Sequence, residues 1–312
     1  MRKVQKNKNL SDLTRFGIGG QAELFVRVET VEELKEALEY ALKHSLQYFV
    51  MGEGTNLLVS DEGVQGMVIQ IALNALEWSE GNHVVKAGAG INLTELISQT
   101  VEKGWAGMEN MYGIPGNIGG AIYGDVGAYG TEIKNVVLSV SVLKQGKILE
   151  MTNEECKFAY RASIFKEHRD WVILAATLRL AHGDSKVLRE KIHEVIELRL
   201  KRYPEGLKCP GSYFKNIELG KLNLNQAAAI KRFSDKIKGG KLASGVLLEA
   251  VGAKGQSRGG AKVADYHGNL IFNNQSATAN DVISLANYLK MQVYSKFGIE
   301  LEEEVQFVGN FH

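Results

Sequence analysis

Apolar and polar positions alternate with two different periods along this chain. In residues 31–45, VEELKEALEYALKHS, the side chains Leu34, Ala37, Leu38, Ala41 and Leu42 recur at three- and four-residue intervals, and Thr30 followed by Glu33 is a capping-box start. The spacing predicts an amphipathic helix. Residues 47–51 read as a short strand running into GEGTN, and residues 57–59 resume a strand before the turn Asp61-Glu62-Gly63, so a glycine loop joins strand to strand. Asn92 and Glu95 cap a second predicted helix that stops at Gly104, while residues 136–143 and 171–180 read as strands. Residues 186–202 form a long helix with Leu188, Ile192, Val195, Ile196 and Arg199 at helical spacing, ending before Tyr203-Pro204. The last third holds the apolar-faced segment LNQAAAIKRF, a strand-like region at 261–272, and a helix over 280–297 stopped by Gly298. Mixed elements of this kind, with no short repeat, predict an α+β chain whose main boundary falls near Tyr203.

Glycine usage sharpens the picture. With Gly 34 against Pro 3, the chain needs many special backbone conformations without being a disordered linker. The loop MGEGTNLLV suits an anion, because successive N–H groups point inward where no side chain blocks them; a plain turn is the competing reading. It lacks the GK[ST] ending of a P-loop, and residues 57–59 do not open a helix as a Rossmann fingerprint requires. A second loop, GIPGNIGGAIYGDVGAYGTEI at 113–133, offers bare backbone to a flat or extended ligand. Together the two loops suit a dinucleotide gripped mainly by main chain, as flavins often are.

The 312 residues are enough for two or three domains, and 45% hydrophobic with 23% charged residues is ordinary globular composition. Lys+Arg 37 against Asp+Glu 36 gives no overall field for nucleic acid or an acidic membrane, so a small-molecule partner is expected. The longest apolar runs are too short to span a bilayer and the start MRKVQKNKNL lacks a signal-peptide core, which predicts a cytoplasmic protein. Cys156 and Cys209 stand in no CxxC arrangement and the 7 His show no ligand spacing, so neither a disulfide nor a metal is expected.

Five motifs in order, MGEGTNLLV, GIPGNIGGA with GAYGTEI, FAYRASIFK, PGSYFKN and LEEEV, resemble those of the UDP-N-acetylenolpyruvoylglucosamine reductases, and the likeness runs through nearly the whole chain. The resemblance implies an FAD-binding fold of the vanillyl-alcohol-oxidase type in two subdomains, 1–75 and 76–203, then an α+β substrate-binding domain at 204–312. It implies an enzyme that uses FAD, with NADPH as hydride donor, to reduce UDP-N-acetylglucosamine enolpyruvate to UDP-N-acetylmuramate. NADPH and substrate would take one pocket in turn, and no oligomer is required. The short interval between Arg161 and Ser212 looks like the subgroup lacking an extra tyrosine-bearing loop.

Carried over motif by motif, the catalytic residues would be Arg161, Ser212 as proton donor, and Glu304, the acid immediately before Val305. FAD would lie on Gly52, Glu53, Gly54, Thr55, Asn56 and Leu57, on Gly113, Ile114, Pro115, Gly116, Gly119 and Gly120, and on Gly127, Ala128 and Tyr129. Tyr160, Arg202, Lys215 and Asn216 would hold substrate. In isolation each catalytic candidate reads as an ordinary residue: a surface ion pair, a turn serine, a solvated acid. His267 and Asn269 resemble a family segment and divide between a structural hydrogen bond and a site role. Two positions depart from the family: Asp125 replaces a frequent Asn, and Arg202 a common Lys. The competing functions are another flavoprotein oxidase or dehydrogenase on the same scaffold, and a non-catalytic flavin- or nucleotide-sugar-binding regulator.

Overall fold

In a computed structural model describing residues 4–311, buried apolar side chains gather into two large clusters, and the chain divides with them. One unit takes the residues up to Lys8, Ala22–Gly54 and Gln65–Lys201; the other takes Asn9–Gln21, Thr55–Val64 and everything from Arg202 onward. Residues 9–21 and 55–64 therefore pack with the C-terminal part, whereas a division by position alone assigned them to 1–75. The cause is long-range pairing: Leu57–Val59 lies parallel to Gln306–Val308, a partner that no local pattern announces.

The first unit has two large sheets beside two short two-stranded ones. One is four-stranded, in the order Gln5–Asn9, Gln21–Val28, Val64–Ile71, Tyr48–Met51, the last pair being parallel. The other is five-stranded and antiparallel, in the order Lys147–Thr152, Val137–Lys144, Val172–Arg179, Val84–Gly88, Leu76–Ser79. Four α-helices accompany them: α1 (Val31–Lys43), α2 (Leu93–Glu102), α3 (Ile118–Gly124) and α4 (Ser185–Leu200). In α1 the Thr30 hydroxyl accepts from the Glu33 N–H, but the Glu33 carboxylate reaches past Thr30 to the Glu29 N–H at 2.8 Å, so the expected reciprocal box is half formed. Leu42, assigned above to the apolar face, is 81% exposed. The buried arc centres on Leu34, Ala37 and Ala41, and a further rotation of roughly 100° past Ala41 carries Leu42 into solvent.

The second unit is built around α5 (Leu224–Ile230), α6 (Ser244–Ala250) and α7 (Ala279–Phe297). Helix α7 has a complete capping box between Thr278 and Asp281 and a left-handed cap at Gly298, φ 66°. Its buried face, including Val282, Leu285, Leu289, Val293 and Phe297, repeats every three or four residues. Each such side chain stabilises the fold by roughly 1.5–3 kcal/mol relative to exposure. This face packs on a three-stranded sheet of Ser257–Arg258, Ala261–Val263 and Ile271–Asn273. The strand-like stretch 261–272 is thus two short strands separated by a turn, closed by the Ala264 N–H donating to the Leu270 carbonyl at 2.9 Å. No helix among the described residues is long and apolar enough to cross a membrane.

Candidate active site

Three main-chain segments converge in the first unit. The Leu93 N–H donates to the Gly116 carbonyl at 2.9 Å, the Ile118 N–H to Ile91 at 2.9 Å, and the Gly119 N–H to Ala89 at 2.8 Å, which lays the second glycine loop along residues 89–93. The first loop closes on the same place. A Cβ at Gly52 would stand 2.5 Å from both polar atoms of the Asn117 amide, so only glycine admits that approach. At Gly119 a Cβ would meet the Ala89 Cβ at 3.0 Å. Gly54 and Gly116 hold φ values of 65° and 124°, which L side chains rarely adopt. The two loops that the sequence offered separately are one backbone-lined surface, and its lack of side chains fits a dinucleotide such as FAD.

Two asparagines assemble that surface. Asn117 caps α3 by accepting from the Gly120 N–H at 3.0 Å and packs against Gly52. Asn92 caps α2 through its Oδ1 and donates its amide to the Glu53 carboxylate at 3.2 Å and 3.4 Å. The sequence pattern points to Asn92 only as a helix cap and does not point to Asn117; an Asn inside each glycine-adjacent turn is the signal both share. Gly113, in turn, has its carbonyl held by the Arg199 Nε at 3.0 Å. Farther along, Gly127–Ala128 pairs with Thr131–Glu132, leaving Tyr129 (φ 49°) and Gly130 (φ 87°) at the tip of a two-residue hairpin whose positive angles suit a primed turn.

Arg161 also belongs to the first unit. It sits with Tyr160 at the tip of a tight turn in which Ala159 and Ala162 exchange hydrogen bonds of 3.0 Å and 2.9 Å, and its φ is 56°. The guanidinium spreads over the Tyr160 ring at 5.3 Å and donates to the carbonyls of Gly127 at 2.9 Å and Asp125 at 3.3 Å. It is therefore docked on main chain and is no loose surface cation. The Asp125 side chain points elsewhere, fully buried and paired with the Lys134 ammonium at 3.0 Å. Burial pushes its carboxyl up from the usual value despite that partner.

The segments that carry Ser212 and Glu304 both belong to the second unit. Phe214 and Glu303 form an antiparallel bridge, with the Glu304 N–H donating to the Tyr213 carbonyl at 2.8 Å and the Lys215 N–H to the Glu302 carbonyl at 2.8 Å. The bridge brings the segment after Ser212 alongside the acidic run. Within that run Glu302 pairs with the Lys215 ammonium and Glu303 with Lys290 at 3.0 Å. The Ser212 hydroxyl lies 3.4 Å from the Tyr203 hydroxyl. Asn56, Thr55 and Leu57, expected at the cofactor, belong to this unit: the Asn56 amide donates to the Glu304 carbonyl at 2.9 Å. Arg202 and Asn216 are exposed here. His267 accepts the Asn269 N–H on Nδ1 at 3.1 Å, and burial with the nearby Arg202 charge holds its imidazole below the usual pKa.

Residues 22–152 match the FAD binding domain family, and with the glycine surface this defines a flavoprotein oxidoreductase on the α+β scaffold of the vanillyl-alcohol-oxidase type. Residues 203–308 match the C-terminal domain of UDP-N-acetylenolpyruvoylglucosamine reductase. The chain belongs to the UDP-N-acetylenolpyruvoylglucosamine reductase family. It is 39% identical over 98% of its length, and 97% of the relative's, to the protein of that name from Solibacter usitatus. To that from Gloeobacter violaceus it is 36% identical, covering 98% and 96% of the two chains. The crystal structure of UDP-N-acetylenolpyruvylglucosamine reductase from Thermus caldophilus superposes with a TM-score of 0.77 at 29% identity, covering 98% of both chains.

Proposed function

We propose that this chain reduces UDP-N-acetylglucosamine enolpyruvate to UDP-N-acetylmuramate, with FAD bound and NADPH as hydride donor, as a cytoplasmic step of peptidoglycan precursor synthesis. Family membership over 98% of the chain supports the reaction. The observation that carries the chemistry is the Tyr213–Glu304 hydrogen bond of 2.8 Å, which holds together the segments that bear the proposed proton donor and the proposed acid. FAD, when bound and reduced by NADPH, would supply the hydride that the vinyl carbon of the enolpyruvyl ether takes up.

The chain's own residues manage the charge and the proton. Electrons displaced by hydride addition move toward the neighbouring carbon and its carboxylate. Arg161 binds that carboxylate with its planar fork, already oriented by the Gly127 and Asp125 carbonyls. Glu304, carrying or sharing a proton, hydrogen-bonds the developing oxyanion. Ser212 protonates the carbon next to the carboxylate. Tyr160, Arg202, Lys215 and Asn216 hold the rest of the substrate, Arg202 supplying a forked cation to phosphate oxygens. FAD would be held by the loop residues at 52–57, by Gly113, Ile114, Pro115, Gly116, Gly119 and Gly120, and by the residues at 127–129, with the substrate domain following from about residue 204.

The test is anaerobic. Purified protein should be yellow, lose its flavin absorbance on adding NADPH, and regain it on adding UDP-N-acetylglucosamine enolpyruvate. Reoxidation by oxygen but not by the enolpyruvyl substrate would identify an oxidase, and binding of FAD without any NADPH oxidation would identify a silent binding protein.

A further inference from the structure

The Ser212–Lys215 segment has two flanks, and only one is supplied by the acidic run. On the other flank stands Asn269, 3% exposed, at the end of the turn after Ala261–Val263. Its Oδ1 accepts from the Phe214 N–H at 2.9 Å and its Nδ2 donates to the Phe214 carbonyl at 2.8 Å, so one side-chain amide satisfies both polar groups of that residue as a neighbouring strand would. The same Nδ2 donates to the Ser244 hydroxyl at 2.8 Å, and the Asn269 carbonyl accepts from the Tyr213 N–H at 3.0 Å. Residues 213 and 214 are thus gripped on one side by Asn269 and on the other by residues 302–304.

We infer that Asn269 is a positioning residue for the reaction: its amide sets the backbone after Ser212, and so the distance and angle between the Ser212 hydroxyl and Glu304. Aspartate, alanine or serine cannot replace it at full value, because the site needs one acceptor and two donors in a plane. A shift of this backbone by an ångström moves the proton donor without removing it, which costs up to ~10²-fold in rate. The inference rests on the assignment of Ser212 as the proton donor.

The experiment uses full-length flavoprotein in anaerobic stopped flow, each half-reaction followed separately. Asn269→Asp and Asn269→Ser should keep flavin reduction by NADPH near the wild-type rate and substrate affinity within a few-fold, while reoxidation by UDP-N-acetylglucosamine enolpyruvate slows roughly 10- to 100-fold. Ser244→Ala, which removes the bond from Asn269 and the 3.3 Å bond from the Ser244 hydroxyl to the Phe214 carbonyl but leaves both Asn269–Phe214 bonds, should lower the melting temperature with little change in either half-reaction. In Ser212→Ala/Asn269→Asp, reoxidation should be no more than about threefold slower than in Ser212→Ala alone, because the two changes act through one hydroxyl. Multiplicative losses in that double variant, or wild-type reoxidation in both Asn269 variants beside a slow Ser212→Ala, overturn the inference and leave the Ser212 assignment standing. Wild-type reoxidation in Ser212→Ala overturns both. If neither Asn269 variant folds with bound flavin, Asn269 is a residue of stability and the inference is lost.

Discussion

The side-chain amide of Asn56 donates to the backbone carbonyl of Glu304 at 2.9 Å, across 248 positions of sequence. Asn56 closes the first glycine loop, and Glu304 lies beside the segment that follows Ser212. The parallel pair Leu57–Val59 and Gln306–Val308 continues from this contact, so the end of the loop and the acidic run are parts of one local framework. Glu304 is consequently fixed from two directions, by Asn56 and by the Tyr213 carbonyl.

Ser212 is the residue whose loss should separate the halves of the reaction. Flavin reduction by NADPH needs no proton on the substrate carbon, so Ser212→Ala should bind FAD and be reduced at close to the normal rate. Reoxidation by the enolpyruvyl substrate should slow by about 10²–10⁴-fold, less whatever water in the vacated space restores. Stopped-flow absorbance of the flavin measures both; equal slowing of the two would make Ser212 a residue of pocket shape.

At Arg161, substitution by Lys keeps the charge but removes the fork that reaches both Gly127 and Asp125 carbonyls. Arg161→Lys should lose about 10- to 100-fold in turnover, on the order of one missing charge-assisted hydrogen bond in the transition state. Steady-state kinetics with saturating NADPH check this, and a wild-type rate would return Arg161 to a purely architectural part.

For the cofactor surface, Gly54→Val must force a branched side chain to φ 65°, and Gly119→Val must place a Cβ 3.0 Å from that of Ala89. Both proteins should carry substoichiometric FAD after purification while retaining their far-ultraviolet circular dichroism. Full flavin occupancy in both would remove these two loops from the cofactor site.

Tyr213 is fully buried with no hydrogen-bond partner for its hydroxyl among the described residues, and burial, with the Glu303 charge nearby, raises its pKa. An unsatisfied buried hydroxyl costs about 1–3 kcal/mol. Tyr213→Phe should therefore raise unfolding stability by about 1 kcal/mol, read from urea denaturation, with both half-reactions intact. A loss of stability would mean that the hydroxyl has a partner in solution.

Asp125 gives a pH dependence. Its carboxyl is raised above the ordinary 3.8 by burial, so the folded protein holds this proton to higher pH than the unfolded chain does. The group's contribution to stability is full below the unfolded value and is lost as pH rises through the folded one. Asp125→Asn lacks that fall. The stability of the variant relative to wild type should thus increase as pH rises from the ordinary carboxylate value through the raised folded one, and then level off. Urea unfolding of both proteins across that range measures the difference, and a constant offset would show that Asp125 titrates normally.

The helices were legible because their information is local. Thr30, Asn92 and Gly298 mark helix ends by what their own atoms do for adjacent N–H groups or backbone angles, and the seven buried positions of α7 repeat within that one segment. The ordered motifs likewise carried the family, since they are short strings whose identity needs no folding to read. Pairing is different. That Leu57–Val59 takes Gln306–Val308 as its partner, that Gly52 must be bare because Asn117 packs on it, and that an amide at Asn269 stands in for a strand beside Phe214 are contacts between distant segments. Period and composition are silent about them. A strand's open edge accepts any backbone of suitable length, and the choice among them is made by which apolar faces can be buried together at once. The residue types of the candidate site were thus written along the chain, and only the tertiary structure decided which of them share a surface.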